Sequence, residues 1–165
     1  MSKQPKEPAS PACLAHEADD AYMGFASQAE IAALLNELLE AERAGAAVAL
    51  RSAEAAEASG SPYGKLLRDI QHDEARWCAM LLKQLQALDE PASPRIGAFL
   101  EKAMAIEGLS ERIAFLNRGQ GWVVRKLREM LPKVRDDGLH RALDSMLQAH
   151  EANIQKANKT LESGA

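Results

Sequence analysis

Residues 31–49 read Ile-Ala-Ala-Leu-Leu-Asn-Glu-Leu-Leu-Glu-Ala-Glu-Arg-Ala-Gly-Ala-Ala-Val-Ala, and this stretch decides the fold. Small or apolar residues recur every three or four positions and predict one buried helix face: Ile31, Leu35, Leu38, Gly45 and Ala49. Glu42 falls in the middle of that face, where a carboxylate is rarely buried without a partner or a metal ion. Glu40 falls off the face and is predicted to point towards solvent.

The helix has clear end signals. Ser27 and Glu30 have the spacing of a capping box, and Gly60 follows as a stop signal. Further along, Ser61-Pro62 predicts the start of a second long helix, and Ser93-Pro94 that of a shorter helix ending near Gly108. A third long helix is stopped by Pro132, and a fourth begins near Leu139.

Each of the three later long helices also carries one polar residue within its apolar face: Glu74, Gln120 and His150. Residue 58, midway between Glu42 and Glu74, lies beside a Ser-Gly-Ser turn, and residue 135, midway between Gln120 and His150, starts Arg-Asp-Asp-Gly. If each helix pair folds back at its turn, Glu42 meets Glu74, and Gln120 meets His150 at that level or at another. The pattern therefore predicts a polar cluster inside an antiparallel four-helix bundle.

Composition and charge indicate the fold class and exclude some classes of partner. The chain has 165 residues, 47% hydrophobic but 4% aromatic, and a net charge of -4 with acids and bases interleaved. This predicts an all-α domain over 27–162, after a tail over 1–26 that is mobile to about residue 12. The sequence has no basic stripe of the kind that binds nucleic acid. It also has no apolar run that approaches the length of a membrane span. Cys13 and Cys78 match no metal or redox spacing and indicate reduced thiols in a cytoplasmic protein.

The two-hairpin pattern resembles the ferritin-like superfamily. The resemblance implies a di-metal site with Glu on the first helix, Glu-x-x-His on the second, and the same set on the third and fourth. Glu42 matches the first ligand; Glu74-Ala-Arg-Trp77 has Trp in place of His, and Leu147-Gln-Ala-His150 has Leu in place of Glu. Gln120 occupies the remaining Glu position, so three of six ligands are kept.

The whole chain from 28 to 162 is also similar to an uncharacterised bacterial branch of that superfamily that has no assigned activity. Two segments carry this similarity: Cys-Leu-Ala-His-Glu-Ala-Asp-Asp-Ala-Tyr-Met-Gly at 13–24 and Leu-Asn-Arg-Gly-Gln-Gly-Trp-Val-Val-Arg-Lys-Leu at 116–127. The role of the Cys13 to His16 part stays open.

Two hypotheses follow, and they leave open whether the protein is an enzyme. In the first, an oxidoreductase-type centre holds one transition metal, Fe or Mn rather than Zn, through Glu42, Glu74 and His150. Gln120 is its fourth or orienting ligand, and Trp77 and Leu147 line it. The second is a metal-free scaffold or interaction protein without a cofactor, in which the same four polar residues form a hydrogen-bonded network.

Further residues complete these hypotheses. In the metal-free network, Arg43 or Arg76 reaches in from the flanks to balance the carboxylates. Trp122 falls outside its stripe and marks the interface of an expected homodimer. Glycines at three stripe or near-stripe positions suggest close helix approach: Gly45, Gly119 and Gly121.

Overall fold

A computed structural model describes residues 23–164. Within that range the chain forms five α-helices and one short 3-10 helix, Leu131–Lys133, and no strand. The α-helices are α1 Gln28–Ala58, α2 Gly64–Ala87, α3 Phe99–Met104, α4 Leu109–Met130 and α5 Asp137–Glu162. The all-α class is confirmed for this range. Most of the predicted tail, including Cys13 and His16, lies outside the described residues.

Local hydrogen bonds explain both ends of α1. The Ser27 hydroxyl accepts from the Glu30 N–H at 3.3 Å, and the Glu30 carboxylate accepts from the Ser27 N–H at 2.8 Å. This is the predicted capping box. At the other end Gly60 adopts φ 67°, and Ser61 N–H closes the last turn on the Ala56 carbonyl at 2.8 Å.

The start of α2 differs from the prediction. The helix begins at Gly64 instead of Ser61-Pro62, and no side chain caps its first turn. The reason is that the Ser61 N–H completes the C-terminal turn of α1, so Ser61 belongs to the end of one helix and does not begin the next.

The added helix is shorter than predicted, because residues 91–97 cross α1 in a non-helical conformation. Asn36 donates to the Pro91 carbonyl at 3.0 Å and accepts from the Ser93 N–H at 2.6 Å. The Ser93 hydroxyl donates to Glu40 and accepts from the Arg95 N–H at 3.2 Å, but no helix begins there because residues 94–97 remain non-helical. Glu40 is therefore half-buried under this segment and does not point into solvent as predicted.

Two apolar clusters show how the long helices run. One joins the N-terminal half of α1 to the C-terminal half of α2, and the C-terminal half of α4 to the N-terminal half of α5. The other joins the opposite halves of all four helices and adds α3. The helices within each pair are therefore antiparallel. Between the clusters lies a belt of buried polar residues: Glu42, Glu74, Gln120 and His150.

Candidate metal centre

Three of the predicted polar residues come together in the space between the two apolar clusters. Glu42 on α1, Glu74 on α2 and His150 on α5 offer ligand atoms that all lie within 4.8 Å of one another. Their exposed fractions are 0%, 4% and 2%. Two acids and an imidazole this close and this deeply buried need a counter-charge, protons or a metal ion, since an uncompensated buried charge is costly.

His150 is oriented by its own helix. Its Nδ1 lies 2.9 Å from the Met146 carbonyl oxygen, and its Nε2 lies 3.1 Å from Glu42 Oε1. Because a carbonyl only accepts, Nδ1 must carry the hydrogen. In the neutral imidazole, Nε2 would then present a lone pair to a carboxylate oxygen. Either a proton or a metal ion must lie between these two atoms, and this tautomer is the one a histidine ligand needs.

Glu74 has no hydrogen-bond partner among residues 23–164, although it is buried. Its carboxylate packs on the backbone of Gly45, where an added Cβ would lie 1.9 Å from Glu74 Oε2. Burial, together with the negative charges of Glu42 and Asp73, raises the pKa of Glu74 well above its usual range. Without a cation at the site, this shift favours the protonated, neutral form of Glu74.

Glu42 and His150 influence each other's pKa through their shared hydrogen bond. Burial raises the pKa of Glu42, against the opposing hydrogen bond and charge of His150. Burial would lower the pKa of His150, but the hydrogen bond and charge of Glu42, with the Met146 carbonyl and Asp73, raise it overall. In the absence of metal, these shifts favour a proton on Glu74 and another between His150 and Glu42.

Gln120 on α4 is the fourth residue of the belt. It is 3% exposed, and neither its amide nitrogen nor its amide oxygen has a hydrogen-bond partner in the described part of the chain. Glu42 Oε2 also lacks one. Buried polar atoms without partners are uncommon in native proteins and point to a bound ion, water or ligand. Gln120 is therefore a buried, unsatisfied amide in the lining of the same cavity as Glu42, Glu74 and His150.

A cavity of about 450 Å³ connects this belt to solvent. It is mostly apolar, and its exposed members, Glu37, Ala98 and Arg118, mark the opening. Phe99 and Phe115 stack in its wall with ring centroids 4.8 Å apart. The lining is completed by further residues of α1, α2, α4, α5 and the segment before α3: Glu40, Ala41, Glu42, Ala44, Gly45, Glu74, Gly97, Leu116, Gly119, Gln120, Trp122, Val123 and His150.

The cavity was not predicted from the sequence. The sequence feature that relates to the cavity is Gly119. An added Cβ there would lie 2.7 Å from the ring of Phe99, which forms part of the cavity wall. Gly119 and Gly45 do permit close packing, as expected. Gly121 does not, because an added Cβ would meet only Arg125 Nη1, at 3.8 Å.

The sequence predicted that Trp77 and Leu147 line the metal site and that Trp122 marks an interface. Trp77 is buried in the apolar cluster beside the belt, Leu147 is half-buried against the same cluster, and neither lines the cavity. Trp122 is half-buried and lines the cavity, with the Lys126 ammonium 5.3 Å from its ring centroid.

The two flanking arginines do not enter the belt. Arg43 donates to the Ser93 carbonyl, which holds the segment before α3. Arg76 pairs with Asp73 at 3.1 Å and lies over the Trp77 ring. The prediction that either would balance the buried carboxylates is wrong, because each has a closer partner outside the belt.

Cys78 is half-buried near the belt but does not belong to the group of Glu42, Glu74 and His150. Burial, with the negative charges of Glu42 and Glu74, raises the pKa of its thiol to about 12. With no metal ion at the belt, this cysteine is therefore a protonated thiol.

The chain matches a protein-family model over most of its length. No curated protein and no solved structure matches the chain significantly. No helix in residues 23–164 is long and apolar enough to cross a membrane. That model covers residues 29–159. This range includes Glu42, Glu74 and His150, and it includes the four long helices except for the first residue of α1 and the last three of α5. The chain therefore belongs to the family described as a domain of unknown function (DUF6306).

Proposed function

We propose that this protein is a ferritin-like antiparallel four-helix bundle, with α3 added between its hairpins, that binds one divalent transition metal ion and acts as an oxidoreductase. The observation that carries the proposal is the convergence of Glu42, Glu74 and His150 from three helices onto one buried point. Each side chain comes from the middle of its helix, as do the ligands of carboxylate-bridged metal sites in bundles.

The available ligands fit one ion and not two. A dinuclear centre of the ferritin-like kind needs carboxylates on all four helices and a histidine on two of them. Here Trp77, Leu147 and Gln120 occupy three of those positions. Trp77 and Leu147 offer no ligand atom, and Gln120 offers only a neutral oxygen. Two carboxylates and one imidazole make a three-ligand set for a single ion and leave positions open.

The distances and charges also suit one ion. Metal–ligand bonds to oxygen and nitrogen are about 2.1 Å, so neighbouring ligands of an octahedral ion lie about 3.0 Å apart. His150 Nε2 and Glu42 Oε1 are 3.1 Å apart already. Glu74 needs only a small movement to join them, since the ligand atoms of all three residues lie within 4.8 Å. Two ionised carboxylates would neutralise a divalent charge in this buried site.

Each residue has a role that follows from its surroundings. Met146 holds the imidazole of His150 in the tautomer that leaves Nε2 available. Gln120 offers a neutral oxygen as fourth or orienting ligand, and the apolar cavity limits water around the cluster. A set rich in oxygen ligands favours Fe or Mn over Zn, and either metal would supply one-electron chemistry at the inner end of the cavity.

Elemental analysis tests the proposal. Untagged protein, purified without chelator and then loaded anaerobically with Fe(II) or Mn(II), is expected to retain about one ion per chain after desalting. Glu42→Gln and Glu74→Gln should retain little while staying folded by circular dichroism. Glu37→Gln is the matched control, because Glu37 lines the same cavity on α1 but lies outside the cluster. A parent protein that retains no metal would disprove the proposal.

A second candidate is a metal-free scaffold in which the polar belt is a hydrogen-bonded network. The 3.1 Å contact between His150 and Glu42 favours it, because a protonated His150 and a neutral Glu74 need no cation. Such a network would fix helix register, as polar residues do in coiled coils. It leaves Gln120 and Glu42 Oε2 unsatisfied, which is why we rank it second. Under this candidate, Glu42→Gln and the parent would both be free of metal.

A further inference from the structure

Gln120 presents an unusual amount of unused hydrogen-bonding capacity. Its side chain is 3% exposed and lines the cavity, and both ends of its carboxamide lack a partner in the described residues. An amide offers two N–H donors and one acceptor oxygen. Ligation of a metal through the oxygen would still leave the NH₂ group without an acceptor. A metal ion alone therefore does not satisfy this residue.

Most of the cavity surface is apolar. Its apolar walls include the buried Leu116 and Val123 and the half-buried rings of Phe99, Phe115 and Trp122. Apolar pockets with a few placed polar groups are typical of small-molecule sites. At about 30 Å³ per non-hydrogen atom, the share of a water molecule in the liquid, 450 Å³ holds an organic molecule of roughly 15 such atoms.

The charged residues around the cavity limit which ligand head group it can accept. The acids that line the outer cavity already have partners: Glu37 pairs with Lys126, and Glu40 with Arg95 and Ser93. The lining holds one arginine, Arg118, which is exposed at the opening, and no lysine. An anionic group placed beside Gln120 would lose its hydration without gaining a counter-charge. The inner cavity therefore favours an uncharged head group over an anionic one.

From these three observations we propose that the cavity binds a neutral, mainly apolar molecule of roughly 15 non-hydrogen atoms, whose carboxamide or similar donor–acceptor group pairs with the Gln120 side chain. This inference rests on the proposed function in one respect: it takes the inner end of the cavity as the place where a substrate meets the cluster. Gln120 is then the residue that determines specificity, and the aromatic walls accept the apolar body.

The test uses the full chain freed of metal with chelator, so that ligand binding is measured independently of metal binding. The probes are 4-butylbenzamide, butylbenzene and 4-butylbenzoate, compared by isothermal titration calorimetry at neutral pH. The amide should bind the parent about tenfold or more tightly than the other two, because unpaired buried groups penalise the hydrocarbon and desolvation penalises the anion.

Variants assign the preference to Gln120. Gln120→Met keeps the volume but removes the amide, and it should bind 4-butylbenzamide no more tightly than butylbenzene, because the ligand's amide is then left without a partner. Asn117→Ala is the matched control: Asn117 is a buried amide on the same helix, but it bonds Ile154 and Asn158 and does not line the cavity. It should keep the parent's preference. Ala41→Phe, which places a ring in the cavity, should abolish binding of all three probes.

Two results would overturn the inference: no binding of 4-butylbenzamide to the folded parent, or an amide preference that survives in Gln120→Met. Because these titrations contain no metal, failure here leaves the metal proposal intact. Conversely, amide binding by a parent that retains no Fe or Mn would reject the metal centre and keep the ligand site.

Discussion

The carboxylate of Glu74 occupies the space that a side chain at position 45 would fill. A Cβ added to Gly45 would lie 1.9 Å from Glu74 Oε2 and 2.6 Å from its carboxyl carbon. The glycine on α1 and the acid on α2 thus form one structural unit. Glu74 is held between the helices by the absence of a side chain opposite it, and not by a hydrogen bond within residues 23–164.

Gly45→Ala should therefore disturb the site more than the fold. The added methyl group displaces the Glu74 carboxylate, while alanine gains about 1 kcal/mol of helix propensity. We expect metal retention to fall well below one ion per chain, with the free energy of unfolding changed by less than about 1 kcal/mol. Gly121→Ala is the matched control, since its Cβ would have only an ordinary contact. It should raise stability slightly and leave metal retention unchanged.

Stability of the metal-free protein should fall as pH rises above about 4.5, the ordinary pKa of a glutamic acid. Burial raises the pKa of Glu74, so above that pH the folded state holds a proton that the unfolded chain has released. Each such proton lowers stability by at most about 1.4 kcal/mol per pH unit until the folded pKa is passed. His150 acts in the same direction above 6.5, because its folded pKa is also raised.

Chemical denaturation of the chelated protein at several pH values checks this. Glu74→Gln should be more stable than the parent, by a margin that grows from pH 5 to pH 8. Glu37→Gln, which removes an exposed carboxylate, should track the parent. A Glu74→Gln protein whose stability runs parallel to the parent's would mean that Glu74 is ionised in the folded state.

Binding of a divalent ion near neutral pH should release protons, up to two per ion. One comes from Glu74 and one from the His150–Glu42 pair, because each ligand must be deprotonated to bind the metal. Calorimetry in buffers of different ionisation enthalpy measures that number directly. Affinity should also rise steeply with pH. Release of no proton would show that the ion binds elsewhere on the chain.

The ends of the helices offer a separate test of stability. Ser27→Ala removes the hydroxyl that accepts from the Glu30 N–H, one of the two bonds of the capping box, and should lower the free energy of unfolding by about 1 kcal/mol. Ser61→Ala is the comparison, because the Ser61 hydroxyl caps no helix and only approaches the Tyr63 N–H at 3.4 Å. Its cost should be a few tenths of a kcal/mol at most. Equal losses in urea titrations would contradict the assigned start of α2.

Trp122 tests the expected homodimer. If its half-buried ring contributes to a contact between two copies, Trp122→Ala should shift sedimentation equilibrium towards monomer while the helical content is retained. Lys126→Ala, which removes only the cation beside the ring, is the control and should change the equilibrium less. A parent that is monomeric at all concentrations would reject the interface and leave Trp122 as a cavity residue.

The sequence determined the helices because their signals are local. Apolar spacing, the Ser27 capping box, Gly60 and Pro132 act within a few residues, and the long helices lie close to where these signals predict. The pairing of Glu42 with Glu74 could also be predicted from the sequence alone. In an antiparallel hairpin every residue rises by the same distance along the axis, so positions equally far from the turn lie side by side.

Only the tertiary structure decided which polar residues touch. The same counting predicts that Gln120 and His150 meet, but His150 bonds Glu42 across the helix pairs, and Gln120 lines the cavity without a partner. That choice depends on how the two hairpins are rotated about their axes, which the packing of both apolar clusters sets. The crossing segment at 91–97 and the Phe99 wall likewise depend on contacts between residues distant in sequence, and such contacts leave no periodic signal in the sequence.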